Sequence, residues 1–258
     1  ILVSAFVYDT ISLGVAVDSG VNLLKLNSSD LSNPDMIKGV ASAKLPCTVG
    51  TGASTIDEIM QSIEIFIQYG SLDLILMHGV QNFPTDVGNL NVNRIGLLRN
   101  IFNCLVGYAD HTDAELELAK CIDLLAIGQG ACVVEKHITL DRSEKGIDHE
   151  SALQGDEFRS YVSLVRDAYR ALGLNRIQSF TESDIKYRRF QKKSIFAGTD
   201  LKAGEILTKG KIKIMRSSKG QGVSPMDQNL ILGQMILTDI KKYEPIHLSM
   251  LKAKAGEE

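Results

Sequence analysis

Two histidines stand out by type and setting. His111 and His137 each close a short apolar run, in Val106-Gly107-Tyr108-Ala109-Asp110-His111-Thr112 and Ala131-Cys132-Val133-Val134-Glu135-Lys136-His137-Ile138-Thr139. Neutral imidazoles that project from neighbouring strand ends can share one divalent metal. Either histidine alone reads equally well as an ordinary hydrogen-bonded side chain beside a loop; the pair favours a site. Lys25 is a third candidate. It lies inside the apolar run Val21–Leu26, where a lysine is costly unless it is paired or functional. Ser4, Ser28 and Asp30 fall in or just after short apolar runs and could equally cap turns. Asp148, in Lys-Gly-Ile-Asp, reads by itself as a turn residue.

The elements that would position these groups alternate in type. Apolar runs Ile1–Val7, Val21–Leu26, Leu45–Val49, Leu72–Met77, Leu105–Tyr108 and Ala131–Glu135 read as short buried strands. Helices are expected between them: Asp9–Ser19, Asn33 to about Lys44, a helix opening at Ser54-Thr55, Asn91–Phe102 and Glu115–Ile127. Pro34 sits where its missing N–H costs nothing, and Ser54-Thr55-Ile56-Asp57-Glu58 has capping-box spacing. Ile56, Ile59, Met60, Ile63 and Ile67 form a helical stripe. A further helix starts at Gly155-Asp156, with Phe158, Val162, Val165, Ala168, Tyr169 and Leu172 on its apolar face. Strand–helix alternation of this kind predicts an α/β fold with a parallel sheet and right-handed crossovers. In such folds, chemistry sits at the carboxyl ends of the strands.

The texture changes after Asn175. Residues 176–191 are polar and basic and read as a linker, and the run Lys186–Lys193 reads as its solvated charge. Residues 192–258 hold short β-like pieces (Ser194–Ala197, Lys211–Arg216, Met235–Thr238) between turns and read as a small, mostly β domain. Residues 1–175 form the first domain. The formal net charge of -3, from 28 basic and 31 acidic residues spread along 258, gives no electrostatic footprint for nucleic acid. No run of about 18 apolar residues predicts a membrane span. Cys47, Cys104, Cys121 and Cys132 lie singly in apolar contexts and read as buried thiols of a reducing, cytoplasmic compartment. The chain opens in mid-strand without Met, so it reads as lacking its amino-terminal part.

The motifs together resemble the sialic acid synthase family. They are Leu24-Lys25-Leu26-Asn27-Ser28, Gly50-Thr51-Gly52, His78 with Phe83-Pro84-Thr85, Gly107–Thr112, Glu135–Thr139 and Gly146-Ile147-Asp148 with Ser151. Lys193-Ser194-Ile195, Lys202–Thr208 and Gly222-Val223-Ser224-Pro225 are similar to that family's antifreeze-like (SAF) domain. The resemblance implies a (β/α)8 barrel, here short of about its first two strands, followed by the SAF domain. It implies condensation of phosphoenolpyruvate with an N-acylated hexose such as N-acetylmannosamine, with release of phosphate. It implies a divalent metal, Mn2+ or Mg2+, on His111 and His137. Lys25, Ser28, Ser4 and Gln81 would bind phosphoenolpyruvate, and Asp148, Phe83 and Lys193 the sugar. Asp30 would be the catalytic carboxylate. A domain-exchanged homodimer is implied as well.

Several positions depart from the family pattern. Gly50 and Ala109 stand where serines are usual, Gln81 where Asn or Ser is, Phe83 where a tyrosine is, and Lys193 where an arginine offers a bidentate fork. At ~1 kcal/mol per lost neutral hydrogen bond, such losses would weaken phosphoenolpyruvate binding. The alternative expectation is therefore a non-catalytic or altered-substrate member that binds a ligand or partner. Because the family draws an acidic residue and a lysine from its first two strands, the chain alone is expected to be inactive, and its open sheet edges to be unstable.

Overall fold

The computed structural model describes residues 1–71, 73–216, 218 and 220–252. Leu72, the expected start of the fourth strand, and residues 253–258, inside the expected SAF range, lie outside the described residues. The chain divides into two units, Ile1–Gly173 and Leu174–Glu258.

The first unit is built on a curled, six-stranded, all-parallel sheet whose spatial order follows the sequence: β1 (Ser4–Val7), β2 (Leu23–Leu26), β3 (Cys47–Gly50), β4 (Leu74–His78), β5 (Leu105–Ala109) and β6 (Val134–Glu135). Helices α1 (Thr10–Asp18), α2 (Pro34–Ser42), α3 (Ile56–Gln68), α4 (Arg94–Phe102) and α5 (Ile122–Gly128) connect them, and α6 (Gly155–Leu172) follows β6. Strand side chains alternate between two faces. One face carries Leu24, Leu26, Cys47, Val49, Leu76, Val106 and Tyr108, all within 1% of full burial, against Ile37, Val40, Ile59, Phe66, Ile95 and Leu98 of the helices. The other face carries Lys25, Thr48, Gly50, Met77, Gly107 and Ala109. The strands are short because each needs to reach only from one turn to the rim where its polar residue stands.

Local signals explain most helix starts. Asn33 accepts from Met36 N, with Pro34 at the first helical position. Thr55 and Glu58 form the reciprocal capping box that the sequence announces.

Four expectations are corrected. The buried face of α3 is Ile59, Ser62 and Phe66, while Met60 and Ile67 are exposed; the aromatic ring, not the isoleucine stripe, sets the helix rotation. On α6 only Tyr161 is buried, with Phe158, Val162 and Val165 packed beside it, and Tyr169 and Leu172 face outward. The expected helix Glu115–Ile127 is a 3-10 turn, Glu117–Lys120, followed by α5; the Ala119 carbonyl near the break accepts a hydrogen bond from Lys136 Nζ at 2.5 Å. Cysteine burial is uneven. Cys47 is buried, Cys104 and Cys121 are half-buried, and Cys132 is exposed because it precedes β6, an edge strand of the sheet.

The second unit begins with an exposed stretch and then a helix, α7 (Glu182–Phe190), within the segment that the sequence reads as a polar, basic linker. Thr181 and Asp184 cap it reciprocally, and this stabilises a helix that lacks an apolar stripe. The small β unit follows. Here β7 (Ser194–Ala197) pairs antiparallel with β8 (Ile212–Met215), and β9 (Met235–Ile236) with β10 (Leu251–Lys252). Its core is Ile195, Leu207, Ile231, Ile236 and Ile246, each within 1% of full burial. Among the described residues no helix is long and apolar enough to cross a membrane.

Candidate active site

The polar rim of the sheet encloses a cavity of about 380 Å3. Lys25, Ser28, Gln81, Phe83, His111, His137 and Asp148 all line it, together with Phe6, Tyr8, Asn27, Gly50, Ala109 and Glu135. Each comes from the carboxyl end of a strand or the loop that follows. The structure thus brings together seven of the ten residues singled out from the sequence. Ser4 shares a face with Phe6 but lies two residues earlier on β1 and does not line the cavity. Asp30 does not line it either; its Oδ1 accepts from Asn33 Nδ2 at 3.0 Å and braces the turn into α2. Lys193 is exposed and belongs to the second unit.

The two imidazoles face each other with ring centres 5.0 Å apart and planes at 55°. Phe83 meets His111 edge-on at 4.4 Å. Burial, reinforced by the neighbouring His137, pushes the His111 imidazolium down to about 4. The ring is therefore neutral near pH 7 and offers a lone pair. Nδ1 of His111 and Nδ1 of His137 are both buried without a hydrogen-bond partner, and a buried polar atom left unpaired is costly. Two such nitrogens in one cavity fit a shared cation. Among the described residues no cluster of three or more His, Cys, Asp or Glu could hold a metal. A cation here would therefore have two protein ligands and take the rest from water or substrate, as open catalytic sites do.

Lys25 reaches the cavity from β2. Its Nζ donates to Glu135 Oε1 at 2.5 Å and lies 4.7 Å from the Phe6 ring centre. Glu135 is the residue that the sequence reading missed. The two are 110 positions apart, so nothing local pairs them. The two-residue strand period was nonetheless a usable signal, because it puts Glu135 on the same face as His137.

A model of the NeuB family matches residues 1–176, and one of the SAF domain matches residues 192–252. The chain belongs to the NeuB family. N,N'-diacetyllegionaminic acid synthase of Legionella pneumophila is 30% identical over 233 residues, covering 89% of this chain and 63% of that protein. Pseudaminic acid synthase of Campylobacter jejuni is 32% identical over 217 residues, covering 84% of this chain and 61% of that protein. The crystal structure of an N-acetylneuraminic acid synthetase from Leptospira borgpetersenii, in complex with citrate, is similar with a TM-score of 0.66 at 29% identity, covering 73% of this chain and 65% of that one. The chain therefore spans less than two thirds of each of these proteins.

Gly50 of this cavity packs closely against the loop after β2. A Cβ at that position would lie 2.8 Å from Ser28 N and 3.2 Å from Ser28 Cβ. The loop after β2 has closed over the space that a serine would need. Asp148, held at φ 58 in the left-handed region, turns the loop after β6 back toward the rim. That loop is pinned before Asp148 by Arg142, which donates to both carboxylate oxygens of Glu157 on α6 (2.9 and 3.1 Å) and to the Ala152 carbonyl at 2.8 Å.

Proposed function

We propose that this chain is part of a nonulosonic acid synthase that joins phosphoenolpyruvate to the open-chain aldehyde of an N-acylated amino hexose and releases phosphate. The observation that carries the reading is the convergence of one ammonium, Lys25, and two imidazoles with unpaired nitrogens on a single cavity, in a chain of the NeuB family. In the proposed step the methylene carbon of phosphoenolpyruvate forms a bond to the aldehyde carbon, whose oxygen takes up a proton; water adds, losing a proton, to the oxocarbenium left at the phosphate-bearing carbon, and collapse to the ketone expels phosphate with C–O cleavage. Lys25 and the hydroxyl of Ser28 would meet the phosphoenolpyruvate anion, and Gln81, on the loop after β4, would donate to it. Asp148 would accept from sugar hydroxyls, and the Phe83 ring would give the sugar an apolar wall. A divalent cation held by His111 and His137 would polarise the aldehyde oxygen as a Lewis acid. On this reading the six-stranded sheet is the larger part of a (β/α)8 barrel.

Sugar-dependent phosphate release from phosphoenolpyruvate by the full-length protein is the test, with Mn2+ and a panel of mono- and di-N-acetylated amino hexoses. Release with at least one sugar, abolished in a His111→Ala, His137→Ala variant, is expected. Absence of release with every sugar in a protein that still binds metal would overturn the reading.

A further inference from the structure

Behind the two imidazoles lies a buried ionic cluster that the condensation does not use. Successive strand residues point to opposite faces, so Asp110 and Lys136, each one residue before a cavity histidine, face the helix layer. The Lys136 side chain is 2% exposed, and those of Asp110 and Asp123 are fully buried. Lys136 Nζ pairs with Asp110 Oδ2 and lies 3.3 Å from Asp123 Oδ2. Asp110 Oδ1 accepts from the Tyr108 hydroxyl at 3.1 Å, from Thr112 N at 3.2 Å and from Thr112 Oγ1 at 2.6 Å. The Tyr161 ring of α6 closes the cluster, with its centre 5.3 Å from the ammonium.

Buried ion pairs seldom add net stability, because desolvation offsets their attraction and apolar residues of similar volume serve as well. A structural requirement at this spot is visible in the sheet. The β5–β6 pairing ends at Ala109↔Glu135, and the Asp110 N to Glu135 O bond at 3.2 Å follows it. One step further stand Asp110 and Lys136, and one step beyond them the two histidines. The carbonyl of His111 is held by Thr85 N and Ser151 Oγ, both at 2.8 Å, and that of His137 by Leu153 N at 2.9 Å. Those bonds fix each strand end to another segment rather than to the other strand end. Among the described residues, the side-chain link between β5 and β6 at this level is the Asp110–Lys136 pair.

We infer that Asp110 and Lys136 are positioning residues, whose buried pair, with Asp123 as second carboxylate, sets the separation at which the His111 and His137 rings can share a cation. The cation-sharing part rests on the metal reading above; the ring-spacing part does not.

The test uses the intact protein and four forms: wild type, Lys136→Met, Lys136→Arg and Asp110→Asn. Co2+ affinity is read by calorimetry, the Co2+ visible absorption spectrum reports ligand geometry, far-ultraviolet circular dichroism reports folding, and crystal structures report ring separation. Loss of an outer partner bonded directly to a metal ligand costs about 10- to 100-fold in affinity, and Asp110 and Lys136, which act through ring spacing, should fall at the lower end. Lys136→Met is expected to weaken Co2+ binding by about tenfold or more, change the spectrum and alter the ring spacing with secondary structure retained, and Lys136→Arg to recover part of the affinity. Asp110→Asn is expected to act in the same direction and decides the matter if Lys136→Met does not fold. Unchanged Co2+ affinity and spectrum in a folded variant overturn the inference. If wild type takes up no Co2+, the metal reading falls, and the crystal structures judge the spacing: a changed ring separation in the variant supports the inference and an unchanged one overturns it.

Discussion

At the scale of single residues, the Lys25–Glu135 pair governs how the cavity meets an anion. Glu135 already occupies the ammonium at 2.5 Å, so an incoming phosphate or carboxylate must compete with it. Lys25→Met removes a charged hydrogen bond, a loss of about 1.5–3 kcal/mol, and should weaken phosphoenolpyruvate binding by about 10- to 100-fold in a calorimetric titration. Glu135→Gln should act in the opposite sense and tighten binding of the anion, because the ammonium is then unneutralised. Weaker binding in both variants would show that Glu135 orients Lys25 rather than competing for it. Gly50 gives a second residue-scale expectation. A serine there would add a hydroxyl, but its Cβ would collide with the Ser28 backbone. Gly50→Ser should therefore lower stability by about 1–3 kcal/mol, as overpacking does, and should not improve binding. A denaturant midpoint equal to that of wild type would show that the loop opens readily.

At the scale of elements, the loop between β6 and α6 depends on the Arg142–Glu157 contact. Hydrogen bonds from Arg142 hold the Glu157 carboxyl down at about 2, and the Gln154 N–H, which donates to Glu157 Oε2 at 2.8 Å, adds to this. A carboxylate whose folded pKa is depressed contributes stability that is present above its ordinary value near 4.5 and is lost as pH falls toward 2. The melting temperature should therefore drop across that window, and Glu157→Gln should flatten this part of the profile while lowering the melting temperature at pH 7. How much could be read from the sequence also divides at this scale. The strand–helix order, the caps at Asn33 and Thr55, and the rim positions of Lys25, His111 and His137 are local patterns, and the sequence carries them in full. The rotation of α3 about Phe66 was not legible, because it depends on which side chain fills a gap between elements distant in sequence. The partnership of Lys25 with Glu135 depends on the curling of the whole sheet. Helix α7 is a different case: Thr181-Glu182-Ser183-Asp184 carries capping-box spacing in plain view, and the surrounding charge obscured it.

At the scale of the whole molecule, the chain holds separate cores. The sheet and its helices bury one around Leu24, Leu76, Ile95 and Leu98, and the second unit buries its own around Ile195, Leu207 and Ile246. Chains with more than one core need not unfold in a single step. The units meet at Gly173 and Leu174, and every residue from Ala171 to Tyr187 is exposed. Exposed backbone outside regular structure is where proteases cut first. Arg176, three residues past the end of the first unit, is the tryptic site that these facts select, since the next basic residues lie on capped α7. Brief digestion should cleave after Arg176 before any site within β1–α6 or β7–β10, and should leave two fragments that resist further cutting. An early cut inside either unit would mean that its core does not hold together as the burial suggests. Two resistant fragments that no longer show separate melting transitions would mean instead that each unit depends on the other for its stability.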